Sequence, residues 1–256
     1  MPSTVRRFFP WSWVLDPFTV YGDGWTCKWF PSEYDDVGHQ LFWSGFREFE
    51  KETAPVIAEN IRQSRVFIDV GANTGIYTIL ACKIDPDVRV VAVEPVPQVC
   101  AALKRNVATN GLDSRVTILN VALGNAEGEA PFHVAERSTM GSLAVEGYQG
   151  QKGEVIHVKC RTLDSVVDEL EVKPDFLKID VEGFEHLVLE GGAKVLGQFR
   201  PRIALEANPG DPGDAMTRIL SNYAYEFRNI TDNGLESRSE IVPVEAYHNW
   251  LCTPSS

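Results

Sequence analysis

Two short blocks of this chain place acidic residues where a ligand or a reacting group would meet them. The first is Asp69-Val70-Gly71-Ala72-Asn73-Thr74-Gly75. An apolar, β-branched run (Phe67, Ile68, Val70) carries Asp69 near its end and passes into glycines spaced G-x-x-x-G. An amphipathic segment with Ile76, Ile79, Leu80 and Ile84 follows. Glycine lets a backbone approach a ligand closely and adopt turns closed to other residues. The N–H groups that open the following helix are available to a carboxylate or phosphate. Glu94 ends the next apolar run, Val90-Val91-Ala92-Val93, and lies 23 positions after Gly71. That is near the roughly 20 residues that separate a glycine turn from a ribose-binding acid. A carboxylate there accepts both ribose hydroxyls and repels a 2′-phosphate, which disfavours NADP. A dinucleotide site prefers G-x-G-x-x-G, whose middle glycine lets the pyrophosphate close in. Here Asn73 stands at that middle position, so the turn favours a ligand without a pyrophosphate, such as S-adenosylmethionine.

The second block is Asp180-Val181-Glu182-Gly183-Phe184-Glu185-His186, with three carboxylates and a histidine in seven residues. Helix capping accounts for one or two of them, since negative charge at a helix start gains about 0.3–1 kcal/mol. It does not account for all three, and Asp180, at the end of its apolar run, is the first candidate for function. With a sulfonium donor such as S-adenosylmethionine, the chemistry would ask for alignment of nucleophile, methyl and leaving sulfur, and a weak nucleophile would gain from a general base. Asp180, Glu182 and His186 are the candidate catalytic residues, with Glu206 expected opposite them. Neighbouring residues at a helix start point in different directions, so Glu185 and His186 cannot both face one ligand. Asp180, Glu182 and Glu206 are also oxygen donors of the type that hold magnesium or calcium; a divalent cation is possible and not expected. No histidine pair has the spacing of a zinc or iron site. His39, His133, His157 and His248 form no local motif, and the hydroxyls of Ser138-Thr139-Met140-Gly141-Ser142 read first as turn residues.

Together with Asn120-Val121-Ala122-Leu123-Gly124, Thr162-Leu163-Asp164 and the longer run Lys178-Ile179-Asp180-Val181-Glu182-Gly183-Phe184-Glu185, the glycine turn resembles the FkbM-type methyltransferases. Gly45-Phe46-Arg47-Glu48 resembles the lead-in of that family, and the likeness runs over roughly residues 45–253. It implies S-adenosylmethionine as cofactor and methylation of an oxygen on a sugar or small metabolite. By position, Asp69, Gly71, Asn73 and Gly75 are then expected around the methionine half of the cofactor. Glu94 is expected on the ribose, with Asn120 and Val121 at the adenine edge. Many relatives of the wider fold carry an Asp where Asn120 stands. N- or C-methylation with the same cofactor, a nucleotide-dependent oxidoreductase and a non-catalytic cofactor-binding scaffold are the competing readings.

Positioning these blocks takes an alternation of strands and helices. Strands are expected at Val66–Val70, Arg89–Val93, Val116–Asn120, Asp175–Asp180 and Arg202–Ala207. Helices are expected at about 75–84, 97–109, 185–196 and 214–222. This is the pattern of a parallel sheet covered on both faces. Pro97 and Asn110-Gly111 suit the two ends of one helix. Arg47–Arg62 reads as a helix interrupted at Pro55. Ala130–Ala135 and Val155–Lys159 read as a β-hairpin inserted before the fourth parallel strand, and Tyr225–Ile230 and Trp250–Thr253 as a closing antiparallel pair. The fold class read from this pattern is α/β, mostly parallel with an antiparallel carboxy-terminal strand, and the resemblance implies that it is a Rossmann-like class I methyltransferase sheet.

Length and charge set the outer limits. The 256 residues suit one large domain, 46–256, preceded by an aromatic-rich segment, 1–45, that holds five of the six tryptophans. Phe8, Phe9, Trp11, Trp13, Trp25, Trp29 and Trp43 in that segment read as a cover over the sheet, a lid on the site, or an interface anchor beside Arg6-Arg7. A net charge of −12 speaks against nucleic acid as partner; a small molecule or glycan as acceptor is what the resemblance implies. Five scattered cysteines without a C-x-x-C pair suggest neither a disulfide framework nor a zinc cluster. No apolar run has the roughly 20 residues of a membrane span, and a cytoplasmic protein without stable membrane insertion is expected.

Overall fold

A computed structural model describes residues 16–32, 35–135, 141–142 and 153–255. The chain enters through a hairpin, β1 (Phe18–Tyr21) and β2 (Thr26–Trp29), then α1 (Asp36–Ser44) and α2 (Thr53–Arg62). The alternating part follows: β3 (Val66–Val70), α3 (Ile76–Ile84), β4 (Arg89–Val93), α4 (Pro97–Thr109) and β5 (Val116–Leu119). Four short strands come next, β6 (Ala122–Leu123), β7 (Gly128–Ala135), β8 (Gly141–Ser142) and β9 (Gly153–Arg161), then α5 (Leu163–Leu170). The chain returns through β10 (Phe176–Ile179), α6 (Glu185–Glu190), β11 (Arg202–Glu206) and α7 (Gly213–Ser221). It ends on β12 (Tyr225–Thr231), β13 (Gly234–Arg238) and β14 (Asn249–Pro254).

The main sheet has the order β13-β12-β14-β11-β10-β3-β4-β5. From β11 to β5 all pairings are parallel, and β14 runs antiparallel to both β11 and β12. Successive side chains of a strand face opposite ways, so adjacent residues feed separate cores. Phe67 and Phe176 stack at 5.4 Å on one face, with Ile79, Leu80 and Leu103 in the same cluster. Ile68, Leu177 and Leu205 pack on the other face with Leu163, Val188 and Trp250. Burial on both faces is what lets these strands read as nearly unbroken apolar runs.

The five parallel strands stand where the sequence places them, within a residue at either end. The inserted hairpin is β7 with β9, enlarged by β8 and by β6 into a separate sheet of order β6-β9-β7-β8. Three expectations need correction. Pro55 does not interrupt a helix: it sits in the first turn of α2, where its missing N–H costs nothing. The helix expected over 185–196 stops at Glu190. Gly191 then passes so close to Gly124 that a Cβ on it would lie 2.0 Å from the Gly124 carbonyl oxygen. A separate π turn follows over Val195–Phe199. Helix α5 was not anticipated, although Thr162 caps it by accepting from the Ser165 N–H.

Trp29, fully buried, donates through its indole N–H to Asp35 at 2.6 Å. Asp35 in turn caps α1 through Gly38 and accepts from the Thr74 hydroxyl at 2.8 Å, inside the glycine turn. Asn106 of α4 and Asn110, which caps its carboxyl end, bond the backbone of Phe30 and Lys28. The described part of the amino-terminal segment is thus fastened to the turn that follows β3. Phe8, Phe9, Trp11 and Trp13, and Ser138–Met140 of the hydroxyl-bearing loop, lie outside the described residues. Among the described residues no helix is long and apolar enough to cross a membrane.

Candidate active site

Beyond the carboxyl ends of the parallel strands lies a cleft of about 830 Å³, the solvent at its mouth included. Its first wall is the glycine turn. Gly71 has φ of 76°, and a Cβ there would lie 1.8 Å from the Asp180 carbonyl oxygen, so the turns after β3 and β10 touch. Asn73 also takes a positive φ, 52°, with its side-chain oxygen accepting from the Thr74 N–H at 2.7 Å. Gly75 (φ 102°) precedes α3 and leaves no room for a Cβ against Leu103. The ladder of α3 begins where the Ile79 N–H donates to the Gly75 carbonyl, which leaves the preceding amides outside it.

Glu94 reaches across this turn. One carboxylate oxygen accepts from the Asn73 N–H at 3.0 Å and the other from the Val96 N–H at 2.9 Å. It is 5% exposed, and burial pushes its pKa up to about 7 despite those two amides. Asp69 stands behind the turn, outside the cleft lining. It accepts from the Thr78 hydroxyl at 2.6 Å, and its second oxygen has no partner. The Asn120 amide donates to the carbonyls of Glu94 and Pro95, pinning that loop from outside the cleft. Val121 lines the cleft itself, in an apolar stretch with Val96, Ala122, Leu123 and Phe132.

The second wall is ionic. Lys178, a charged residue within the buried β10, lies 2.8 Å from the Asp180 carboxylate and 5.2 Å from the centre of the Tyr77 ring. The Tyr77 hydroxyl donates to Glu50, which also lines the cleft. Burial alone would lower the Lys178 pKa; Asp180, Asp69 and Glu50 outweigh it and raise it instead. For Asp180, burial is overcome by Lys178 and by a hydrogen bond shared with Glu206, and its carboxyl sits below its usual range. Glu206, desolvated and facing Asp180, is pushed up to about 11 and holds the proton of the pair. Its oxygens also meet the Asn208 amide at 2.9 Å and His248 at 3.4 Å. Glu182, with φ of 55°, faces the cleft, and burial beside Asp180 raises its pKa to about 8.

The structure therefore brings Gly71, Asn73, Glu94, Val121, Asp180 and Glu182 to one cleft. His186 is elsewhere: its ring stacks beside Phe184 at 6.4 Å, away from the lining residues. Glu185 is fully buried and accepts from the N–H groups of Val181 and Gly183, so it braces the turn that presents Asp180 and Glu182. Lys178, Glu50, Tyr77 and His248 were not read from the sequence. A lone lysine inside the apolar run Phe176-Leu177-Lys178-Ile179 was a usable signal; the other three meet the site only through the tertiary fold. Among the described residues, Asp180, Glu182 and Glu206 form the group suited to a cation, with oxygens within 4.8 Å of one another.

A Rossmann-like sheet with its cleft at a glycine turn, an acid after the next strand and an antiparallel closing strand defines a class I S-adenosylmethionine-dependent methyltransferase. The chain belongs to the FkbM methyltransferase family, whose domain model matches residues 69–227. It is 29% identical to the hexuronic acid methyltransferase AglP of Haloferax volcanii over 174 residues, covering 67% of this chain and 68% of that protein. It is 28% identical to the methyltransferase sdnD of Sordaria araneosa, covering 52% of this chain and 62% of the relative. A crystal structure of methyltransferase FkbM from Methylobacillus flagellatus superposes with a TM-score of 0.51 at 19% identity. The match covers 74% of this chain and 43% of that one. An S-adenosylmethionine-dependent methyltransferase from Agrobacterium tumefaciens gives 0.52 at 10% identity, over 94% and 71%. These two superpositions establish the fold.

Proposed function

We propose that this protein transfers the methyl group of S-adenosylmethionine to a hydroxyl oxygen of a sugar or small metabolite, with Asp180 as general base. The observation that carries this reading is an ionised carboxylate at the cleft wall, 2.8 Å from a buried ammonium. The residues present fit the cofactor piece by piece. The opening amides of α3, which follow the turn of Gly71, Asn73 and Gly75, suit its carboxylate, and Glu94 has lone pairs left for ribose hydroxyls. The apolar stretch from Val96 to Leu123 suits an adenine ring, with Val121 against it and Asn120 holding the loop from behind. Asp69 supports the turn. When bound, the cofactor supplies an electrophilic sulfonium methyl.

The chain's own work is then to position the acceptor and take up one proton. Asp180 keeps 30% of its side chain exposed and is the group free to accept that proton. Glu206 already holds one and cannot compete for it. Glu182, on the same turn, orients the acceptor by hydrogen bonding. The name of the Haloferax relative makes a carbohydrate acceptor the first to try. A divalent cation across Asp180, Glu182 and Glu206 is a second reading, favoured by their mutual closeness.

Calorimetric titration with S-adenosylmethionine, S-adenosylhomocysteine and NAD tests the cofactor assignment. The two adenosyl ligands are expected to bind at micromolar concentration and NAD not at all; the reverse would overturn it. A screen of sugars and hydroxylated metabolites for S-adenosylhomocysteine release, with EDTA or magnesium, then tests the acceptor class and the cation together.

A further inference from the structure

We propose that Glu50 completes the cofactor site: its carboxylate takes the α-ammonium on the methionine half of S-adenosylmethionine. The inference rests on the cofactor reading above and adds to it a residue ahead of the matched family domain, 69–227. Three local features aim this side chain at the cleft. Glu50 has a φ of 40°, a left-handed backbone that is strained for a residue other than glycine. Its carbonyl accepts from the N–H groups of Thr53 at 2.9 Å and Ala54 at 2.8 Å, which fixes the backbone at the start of α2. Phe49 beside it is buried, with its ring 6.0 Å from that of Tyr77. The Tyr77 hydroxyl then donates to one Glu50 carboxylate oxygen. Among the described residues the other oxygen has no hydrogen-bond partner, and Glu50 lines the cleft.

The cofactor brings a cation that needs such a partner. Its ammonium sits on the same carbon as its carboxylate, so the two are placed together. The opening amides of α3 suit the carboxylate, and the positive end of a helix dipole repels an ammonium. The ammonium therefore has to turn from the helix toward an acid close to its first turn. Tyr77 is the second residue of α3, and Glu50 is bonded to it. The other acids of the cleft lining are engaged elsewhere. Glu94 is held by the amides of Asn73 and Val96, on the ribose side. Asp180 is paired with Lys178 at 2.8 Å, and Glu182 stands on the turn beyond it. Asp69 lies behind the glycine turn, outside the lining. Burial favours the neutral form of Glu50 and Lys178 the charged one; a bound ammonium adds to the pull of Lys178. Glu50 is the point at which the ionic wall of the cleft meets the cofactor.

A ligand altered at one group tests this on the full chain. Calorimetric titration compares S-adenosylhomocysteine with its des-amino analogue, in which hydrogen replaces the ammonium and all else is kept. The unaltered protein is expected to bind S-adenosylhomocysteine about 10- to 100-fold more tightly, the range of one charge-assisted hydrogen bond. E50Q keeps the size and loses the charge. It should weaken S-adenosylhomocysteine by about 10-fold and leave the analogue within about threefold of its original affinity. A purely structural glutamate would weaken both ligands alike, and that result would overturn the proposal. So would an unaltered protein that binds the two equally, or an E50Q variant whose affinity for S-adenosylhomocysteine is unchanged. Should E50Q fail to fold, E50D keeps the charge on a shorter arm. Its preference for the ammonium should narrow several-fold, and an undiminished preference would overturn the assignment. The cofactor reading fails separately: if neither S-adenosylmethionine nor S-adenosylhomocysteine bound the unaltered protein, that reading would fall and take the role of Glu50 with it.

Discussion

The two walls of the cleft are built on opposite principles. On the glycine-turn side the polar groups are answered by backbone or by a neighbouring side chain, save one buried oxygen of Asp69. Asn73 serves Thr74, Glu94 serves Asn73 and Val96, and Asp69 serves Thr78. On the carboxylate side the groups come from five distant stretches of chain: Glu50, Tyr77, Lys178 with Asp180, Glu206, and His248. The first wall is held by shape, and small changes in volume should break it. The second is held by charge, and isosteric changes of charge should break it while the shape survives. On the proposed reading, one wall holds the cofactor and the other carries the chemistry, a division of labour that single substitutions can separate.

The largest effect is expected from Gly71→Val. A side chain there collides with the Asp180 carbonyl at 1.8 Å and strains a positive φ, so both walls fail together. Loss of cofactor binding by calorimetry and a melting temperature lower by 10 °C or more are the expected readings, on the order of 3 kcal/mol or above for an overpacked, strained site. Binding close to that of the unaltered protein would show that the turns can separate. Next comes D180N, which keeps volume and removes charge. Turnover should fall about 100-fold or more, within the usual range for a general base, while cofactor affinity changes by less than about threefold. A matched loss of both would erase the distinction between the walls.

Glu94→Ala follows, with cofactor affinity weakened by roughly 1–3 kcal/mol through lost charge-assisted hydrogen bonds. An indifferent affinity would remove Glu94 from the ribose. Stability against pH sharpens the comparison further. Glu94 and Glu185 are raised from 4.5 to about 7 and about 8 by burial. The folded protein therefore keeps protons that the unfolded chain has released between those values. Stability from these groups is full below pH 4.5 and declines in the ligand-free protein as pH climbs toward 8. Thermal melts from pH 5 to 8 should show that decline, and E185Q should flatten it; a stability that rises over this range would contradict the burial argument. The smallest effect is expected from Asn120→Ala, which frees the carbonyls of Glu94 and Pro95 and should cost about 1 kcal/mol of cofactor affinity.

The same contrast explains what the sequence could disclose. The glycine turn, Glu94 and the parallel strands are written in contiguous residues with periodic burial, and they stand at their expected positions. Asp180 and Glu182 were legible for the same reason, as a dense acidic run after a strand. His186 belongs to that run by sequence alone. Helix geometry turns it toward Phe184, and the histidine that meets the carboxylates is His248, 62 positions along the chain. Glu50 could not be recognised either, because nothing beside it in the sequence indicates that Tyr77 will donate to it. Helix α5 was lost to a different cause. With eight residues it carries little periodicity, and its capping threonine was the one local cue.

The place of β14 has a bearing on how the molecule is made. This strand follows all the other described strands in sequence, yet it lies inside the sheet, between β11 and β12, with Trp250, Leu251 and Cys252 all buried. During synthesis β11 and β12 emerge with a gap between them that no earlier segment fills. The ribosome must release residue 254 before the sheet can close, and until then two apolar edges stay open to other chains. A nascent chain stalled a few residues short of that point would hold the glycine turn and both walls of the cleft in sequence, and still lack the strand that locks β11, and Glu206 with it, into place.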